Sequence, residues 1–157
     1  MEDKAIDYVR TLNIPFYYYL LAVLIGAAVW KTWRWEGGLL AGYVVLLLAE
    51  TVLIRKVTPG SHFQPEIFWS WKQWEVQRNQ ILTNVVMFVP VGLLAGKIWR
   101  WRGIWFAAGM SIVIEVLQLV TSRGLCEIDD VIHNMIGTAV GVGIVMILRK
   151  LLVQEAE

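Results

Sequence analysis

Two apolar runs joined by a short polar loop decide the fold. Residues 103–121 read GIWFAAGMSIVIEVLQLVT, residues 122–130 read SRGLCEIDD, and residues 131–148 read VIHNMIGTAVGVGIVMIL. A helix needs about 20 residues, with a range of roughly 17–25, to cross a bilayer core of ~30 Å. Each run is of that length, so the stretch predicts two membrane-spanning helices connected by a polar turn.

Three further apolar runs lie towards the N-terminus, at residues 14–30, 37–54 and 81–97. The first is not a cleaved signal peptide because it lacks a basic leading region. We therefore predict an all-α, polytopic membrane helical bundle of about five transmembrane helices, in a single domain over residues 1–157.

Composition supports this class and excludes others. The chain is 57% hydrophobic and 17% charged, whereas soluble domains are nearer 45–50% apolar and about 25% charged. Its net charge of +1 argues against a nucleic-acid binder, which would carry a basic stripe. The single cysteine, Cys126, rules out an intramolecular disulfide, and we predict no cofactor.

Positive charge is concentrated in the short loops of one face. Cytoplasmic loops carry the excess of Lys and Arg in membrane proteins, so we predict the N-terminus outside and the C-terminus inside. The long loop at residues 55–80 and the loop at residues 122–130 are then extracytoplasmic. The cations of the predicted inner face are Lys31, Arg34, Lys97, Arg100, Arg102, Arg149 and Lys150.

The tryptophans follow the same division. Most flank the two short basic loops, as interfacial aromatic residues do, whereas Trp69, Trp71 and Trp74 lie in the long loop. Their spacing predicts a short amphipathic helix on the outer leaflet, or a re-entrant segment, that Pro65 begins. The residues that flank the basic loops are Trp30, Trp33, Trp35, Trp99, Trp101 and Trp105.

Polar side chains recur inside the predicted spans, where they are costly unless partnered and so mark candidate sites. In two spans they are spaced 4, 3 and 4 residues apart, which puts each set on one helix face. The first set is Ser111, Glu115, Gln118 and Ser122, and the second is Asp130, Asn134, Gly137 and Gly141. Glu50 and Asn84 lie in two other spans.

The loop between the last two spans adds charge to these stripes. Arg123 can form a bidentate pair with a carboxylate, and the candidates are Glu115, Glu127, Asp129 and Asp130. Capping of the following helix is the alternative role of Asp129 or Asp130.

Three ordered motifs carry a family resemblance: NVVMFVPVG at residues 84–92, SIVIEVLQ at 111–118 and RGLCEIDDVIHNMIG at 123–137. Together they resemble the VanZ-like family of small membrane proteins. Family members often have Asn-Leu-x-Pro-Phe before the third span, where this chain has HFQPEIF at residues 62–68. The resemblance implies a bacterial membrane protein linked to low-level teicoplanin resistance, with no settled biochemical activity.

The resulting hypothesis is a protein that binds or modifies an envelope component, such as a lipid-linked cell-wall precursor or a glycopeptide, beside membrane lipid. Arg123 and Lys56 are candidates to hold a phosphate or carboxylate, and Glu115 and Asp130 to accept an ammonium or act as acid and base. Whether the protein is an enzyme stays open. The candidate catalytic residues are Glu115, Arg123, Asp129 and Asp130, and the candidate ligand-binding residues are Asn84, Gln118, Asn134, Glu50 and Ser111.

Alternatives of other classes remain. A divalent metal near Asp129, Asp130 and His133, with His62 and Glu66 on the same predicted side, would suit oxygen ligands, but zinc-binding spacing is absent and we predict no metal. A purely structural or interaction subunit is favoured by three small-residue pairs that allow close helix approach. A homo-oligomer or a small oligomeric transporter is also compatible. The pairs are Gly38/Gly42, Gly92/Gly96 and Gly137/Gly141.

Overall fold

The computed structural model describes residues 14–57, 60 and 63–154. Helices make up 84% of it, which confirms the all-α class. The chain divides into two compact units, Met1–Lys56 and Val57–Glu157. We call them the N-terminal unit and the C-terminal unit.

The N-terminal unit contains α1 (Phe16–Thr32) and α2 (Trp35–Leu48), and α2 continues into a π-helical turn at Ala49–Leu53. The two helices meet backbone to backbone at glycines. A Cβ added at Gly38 would lie 2.6 Å from the carbonyl oxygen of Gly26. No side chain fits there, so the predicted close approach at Gly38 and Gly42 is confirmed.

The C-terminal unit has three long helices and a small extended pairing. A 3₁₀ turn at Arg100–Arg102 separates the first two long helices. The elements are β1 (Phe63–Gln64), α3 (Trp69–Lys72), α4 (Trp74–Trp99), α5 (Gly103–Thr121), β2 (Cys126–Glu127) and α6 (Ile128–Gln154).

Helices α4 and α6 run parallel and form the centre of this unit. A Cβ on Gly137 would collide with the carbonyl oxygen of Val85, and one on Gly92 with that of Thr138. The two backbones therefore touch, as the predicted small-residue pairs require. Helix α5 returns between the end of α4 and the start of α6, so the first turns of α4 and α6 lie at the same end of the unit.

The segment before α4 differs from the prediction. The expected helix does not begin at Pro65, because Phe63–Gln64 pairs in parallel with Cys126–Glu127 and Phe68 adopts a left-handed φ of 63°. The observed helix is the four-residue α3. Trp74 is not part of it but begins α4, well before the predicted start at residue 81.

Within the described residues, three helical stretches are long and apolar enough to cross a membrane: Trp35–Leu53, Trp74–Thr121 and Ile128–Gln154. The middle one includes both α4 and α5. The helix Phe16–Thr32 is apolar but shorter. Five crossings and the orientation of the termini stay predictions, as does the single domain.

Candidate functional site

Buried polar side chains gather at the end of the C-terminal unit where α4 and α6 begin and α5 ends. The acids and the histidine among them are nearly inaccessible to solvent, and Gln80 is half-buried. The chain passes this end in the segment before α4 and again in the loop between α5 and α6, so residues distant in sequence meet here. We call the group the polar cluster, and it comprises Gln80, Glu115, Glu127, Asp129, Asp130 and His133.

Glu115 connects α5 to the loop that follows it. Its carboxylate accepts a hydrogen bond from the backbone N–H of Glu127 at 2.9 Å. The helix ends at Ser122, which has a left-handed φ of 52°, and the backbone N–H of Arg123 donates to the carbonyl of Gln118 at 2.9 Å. The predicted pairing of the half-buried Arg123 side chain with a carboxylate stays a prediction.

Asp129 holds the segment of residues 63–72, which we call the anchored segment. Its carboxylate accepts from the backbone N–H groups of Phe68 at 2.6 Å and Ser70 at 2.9 Å, and from the Ser70 hydroxyl at 2.5 Å. The side chain is completely buried. Asp129 therefore caps α3, a helix about sixty residues earlier in the chain, and both of its oxygens are occupied.

His133 and Asp130 form the next layer. The indole N–H of Trp71 donates to His133 Nε2 at 2.8 Å. Because an indole N–H is only a donor, Nε2 carries no proton, and the neutral ring has its proton on Nδ1. That nitrogen lies 3.7 Å from Asp130 Oδ1, and the side-chain amide of Gln80 approaches the two Asp130 oxygens at 3.4 and 3.3 Å.

Glu127 is the carboxyl with the most unusual environment. Burial, with the nearby charge of Asp130, raises its pKa to about 7, although polar contacts from Trp69 and Gln80 oppose this and Asp129 adds to it. Its Oε2 atom is buried and accepts no hydrogen bond from the residues that the structure describes. Near neutral pH the protonated and ionised forms of Glu127 are therefore both populated.

Cys126 lies beside this group without the properties of a nucleophile. Its thiol is buried, and burial together with the charges of Glu115 and Glu127 raises its pKa. Since the thiolate is the reactive form of cysteine, the environment keeps Cys126 unreactive.

Below the polar cluster, α5 and α6 are joined by neutral groups. The Asn134 side-chain amide of α6 donates to the Ser111 hydroxyl of α5 at 2.7 Å. Within α6, the Thr138 hydroxyl donates to the backbone carbonyl of Asn134 at 2.9 Å. Ser111, Glu115 and Gln118 are all buried. Each predicted stripe therefore faces the interior of the unit, as its spacing indicates.

The other two predicted residues, Asn84 and Glu50, lie on helices of different units. Asn84 is half-buried on α4, and Glu50 is half-buried in the π-helical turn of the N-terminal unit. Gln80 was not predicted, although its spacing of four from Asn84 places it on the same face of α4. Ser70 was not predicted either, because no periodic signal marks it.

The polar cluster is rich in hydrogen-bond acceptors. Among the residues that the structure describes, no three His, Cys, Asp or Glu side chains are placed to share a metal ion. His62, considered for such a site, lies outside the described residues. Carboxylates in this setting suit an ammonium or hydroxyl group, or the transfer of a proton.

Comparison with known proteins identifies relatives of this chain. The model of the VanZ/LLP1 family matches residues 16–149. Protein VanZ of Enterococcus faecium is 30% identical over 67 residues, which cover 40% of this chain and 42% of that protein. The match thus spans less than half of the relative. No solved structure matches the chain.

Proposed function

The chain belongs to the VanZ/LLP1 family, and from that premise we propose that it acts on a cell-envelope component at the extracytoplasmic face of the membrane. Through this action it modulates sensitivity to glycopeptides such as teicoplanin. The observation within the chain that carries the proposal is the polar cluster, because buried carboxylates at the end of apolar helices are expensive to keep and usually serve a function.

The chemistry of the cluster favours a ligand with an ammonium or hydroxyl group. Glu115 and Asp129 each accept hydrogen bonds from the backbone, so they mainly position their surroundings. Glu127 and Asp130 are less fully hydrogen-bonded. Among the described residues Glu127 Oε2 has no hydrogen-bond partner, and the contacts from Gln80 to Asp130 are long. These two side chains are the proposed contact residues.

Glu127 and Asp130 also have the properties of an acid and base pair. A carboxyl whose pKa is raised to about 7 gives up or accepts a proton at neutral pH, as general acid–base catalysis requires. Gln80 lies beside both carboxyl groups. The pair supports either binding or proton transfer, and binding alone is sufficient for the proposal.

A purely structural role is the second candidate. It is favoured by Asp129, which uses both oxygens to hold the anchored segment, and by the Ser111–Asn134 hydrogen bond between α5 and α6. Such bonds stabilise a membrane bundle by about 1 kcal/mol each. On this interpretation the cluster would bind nothing.

Glycopeptide susceptibility separates the two candidates. A susceptible bacterial host expresses the wild type or one of the variants Glu127→Gln, Asp130→Asn, Glu115→Gln and Arg123→Ala at matched membrane abundance. We expect the wild type to raise the teicoplanin concentration that inhibits growth, and Glu127→Gln and Asp130→Asn to abolish that rise.

The matched control is Glu75→Gln, which neutralises an exposed carboxylate in the first turn of α4, outside the polar cluster. It should behave as the wild type. If all folded variants protect equally, the polar cluster is structural. If the wild type itself gives no protection, the glycopeptide part of the proposal is wrong.

A further inference from the structure

A basic groove lies at the end of the C-terminal unit opposite the polar cluster. It is an open space of about 420 Å³ between the turn after α4 and the last turns of α6. Among the described residues that line it there are three cations and no acid. The lining residues are Arg100, Met146, Arg149, Lys150, Val153 and Gln154.

One of the cations, Arg149, is held in place by a hydrogen bond across the unit. The guanidinium of Arg149 donates to the backbone carbonyl of Lys97 at 2.6 Å, which attaches the end of α6 to the last turn of α4. Arg100 ends α4 with a left-handed φ of 56°, a conformation that costs a non-glycine residue about 1 kcal/mol or more. Three like charges around one opening repel one another unless an anion lies between them.

The groove also has an apolar side. Met146 and Val153 line it, and the same part of α6 carries further exposed aliphatic residues such as Ile147 and Leu151. Trp101, next to Arg100, is 56% exposed, as aromatic residues at the headgroup level are. A ligand that fills this space needs an anionic group joined to an apolar chain.

We propose that this groove binds the phosphate of an anionic phospholipid. Arg100, Arg149 and Lys150 surround the phosphate, and an acyl chain lies along α6 beyond Met146. Basic pockets at the ends of membrane helices bind such headgroups by charge. A soluble phosphate would leave the apolar side unused, so the lipid is the better fit. The site is independent of the polar cluster and of the function proposed for it.

The test is lipid binding by the purified full chain in a neutral detergent. Native mass spectrometry counts the bound molecules during titration with dihexanoyl phosphatidylglycerol or, in a parallel series, dihexanoyl phosphatidylcholine. We expect tighter binding of the anionic lipid. Arg100→Gln and Lys150→Gln should each weaken it about five-fold, with an unchanged thermal unfolding midpoint.

Arg102→Gln is the matched control, because Arg102 lies in the same 3₁₀ turn, is exposed and does not line the groove. It removes the same charge and should leave binding unchanged. An equal loss in this variant would overturn the proposal in favour of general surface charge. Equal binding of phosphatidylcholine, or displacement of the lipid by equimolar glycerol phosphate, would overturn it as well.

Discussion

In both compact units, two helices approach so closely that only glycine fits between their backbones. Gly38 of the N-terminal unit faces the carbonyl of Gly26, and Gly137 of the C-terminal unit faces that of Val85. The surroundings of the two contacts differ. The contact in the N-terminal unit borders an apolar groove with Tyr19, Trp30 and Tyr43 in its wall, whereas the contact in the C-terminal unit lies near Asn134 and the polar cluster.

This difference shows that close helix packing and buried polar groups are independent features of the chain. Glycine pairs occur in both units, so they indicate how helices meet and do not by themselves mark a site. The buried carboxylates of the polar cluster belong to the C-terminal unit alone, whereas the buried acid Glu36 of the N-terminal unit pairs with its near neighbour Arg34 at 3.3 Å. A functional site in this chain is therefore expected where long-range polar contacts join the helices.

The largest expected effect tests the packing that the units share. Gly137→Ala places a methyl group against the Val85 carbonyl, and the rigid backbones cannot separate without opening the α4–α6 contact. We expect a loss of about 3 kcal/mol in the free energy of unfolding, measured by thermal or denaturant unfolding in detergent. Gly38→Ala should also destabilise the protein.

Gly143→Ala is the control on the same helix, since an added Cβ there meets nothing within 4 Å. Its effect should be neutral or slightly stabilising, because alanine is the better helix former. If Gly38→Ala is as harmless as Gly143→Ala, the two units do not share this packing.

The next effect tests the long-range contacts of the C-terminal unit. Asp129→Ala removes the acceptor for three donors of Phe68 and Ser70, and leaving buried donors unpaired is costly. We expect a loss of about 2 kcal/mol and faster proteolysis within residues 63–72. Glu66→Ala alters an exposed acid of the same segment, which pairs with Lys72, and should change neither measurement.

The smallest effect concerns the pH dependence of the C-terminal unit. Burial and Asp130 raise the pKa of Glu127 to about 7, above the value of about 4.3 for an unfolded glutamate. Between these values the folded chain keeps a proton that the unfolded chain has lost, so stability falls as pH rises from about 4.3 to 7 and stays reduced above that.

Glu127→Gln removes this titration. Allowing for screening by solvent, we expect the variant to be more stable than the wild type by about 1–2 kcal/mol above pH 7, with a flatter stability profile between pH 4.5 and 7. Denaturant unfolding across that range measures the difference. A variant that follows the wild-type slope would show that another group titrates.

Hydropathy predicted the helix bounds correctly where a helix is apolar along its whole length. It did not predict the part of a helix that is polar. The bounds of α5, Gly103–Thr121, agree with the prediction because polar or charged residues flank that run directly. The start of α4 was missed because Trp74 is followed by a polar stretch that stays helical. Such a stretch carries no apolar signal, although its backbone hydrogen bonds continue.

Periodicity predicted which faces of α5 and α6 are buried, but it did not predict which side chains form hydrogen bonds with one another. Ser111, Glu115 and Gln118 are buried as their spacing indicates. The partners of Asp129, Phe68 and Ser70, lie about sixty residues away, and no local pattern connects them. The Trp71–His133 hydrogen bond likewise depends on where α3 is placed, which only the tertiary fold determines.

The lengths of α4 and α6 have a consequence for the membrane around them. With 26 and 27 residues, each extends about 40 Å at 1.5 Å per residue, against a hydrocarbon core of ~30 Å. The surplus is largely polar, because the apolar runs are residues 81–97 of α4 and 131–148 of α6, so we expect the remaining turns to lie outside the hydrocarbon core. Both helices start at the end that carries Glu127 and Asp130, and these acids are therefore expected near the membrane boundary. A thinner or thicker bilayer would change how deeply they lie, and with it the polarity of their surroundings.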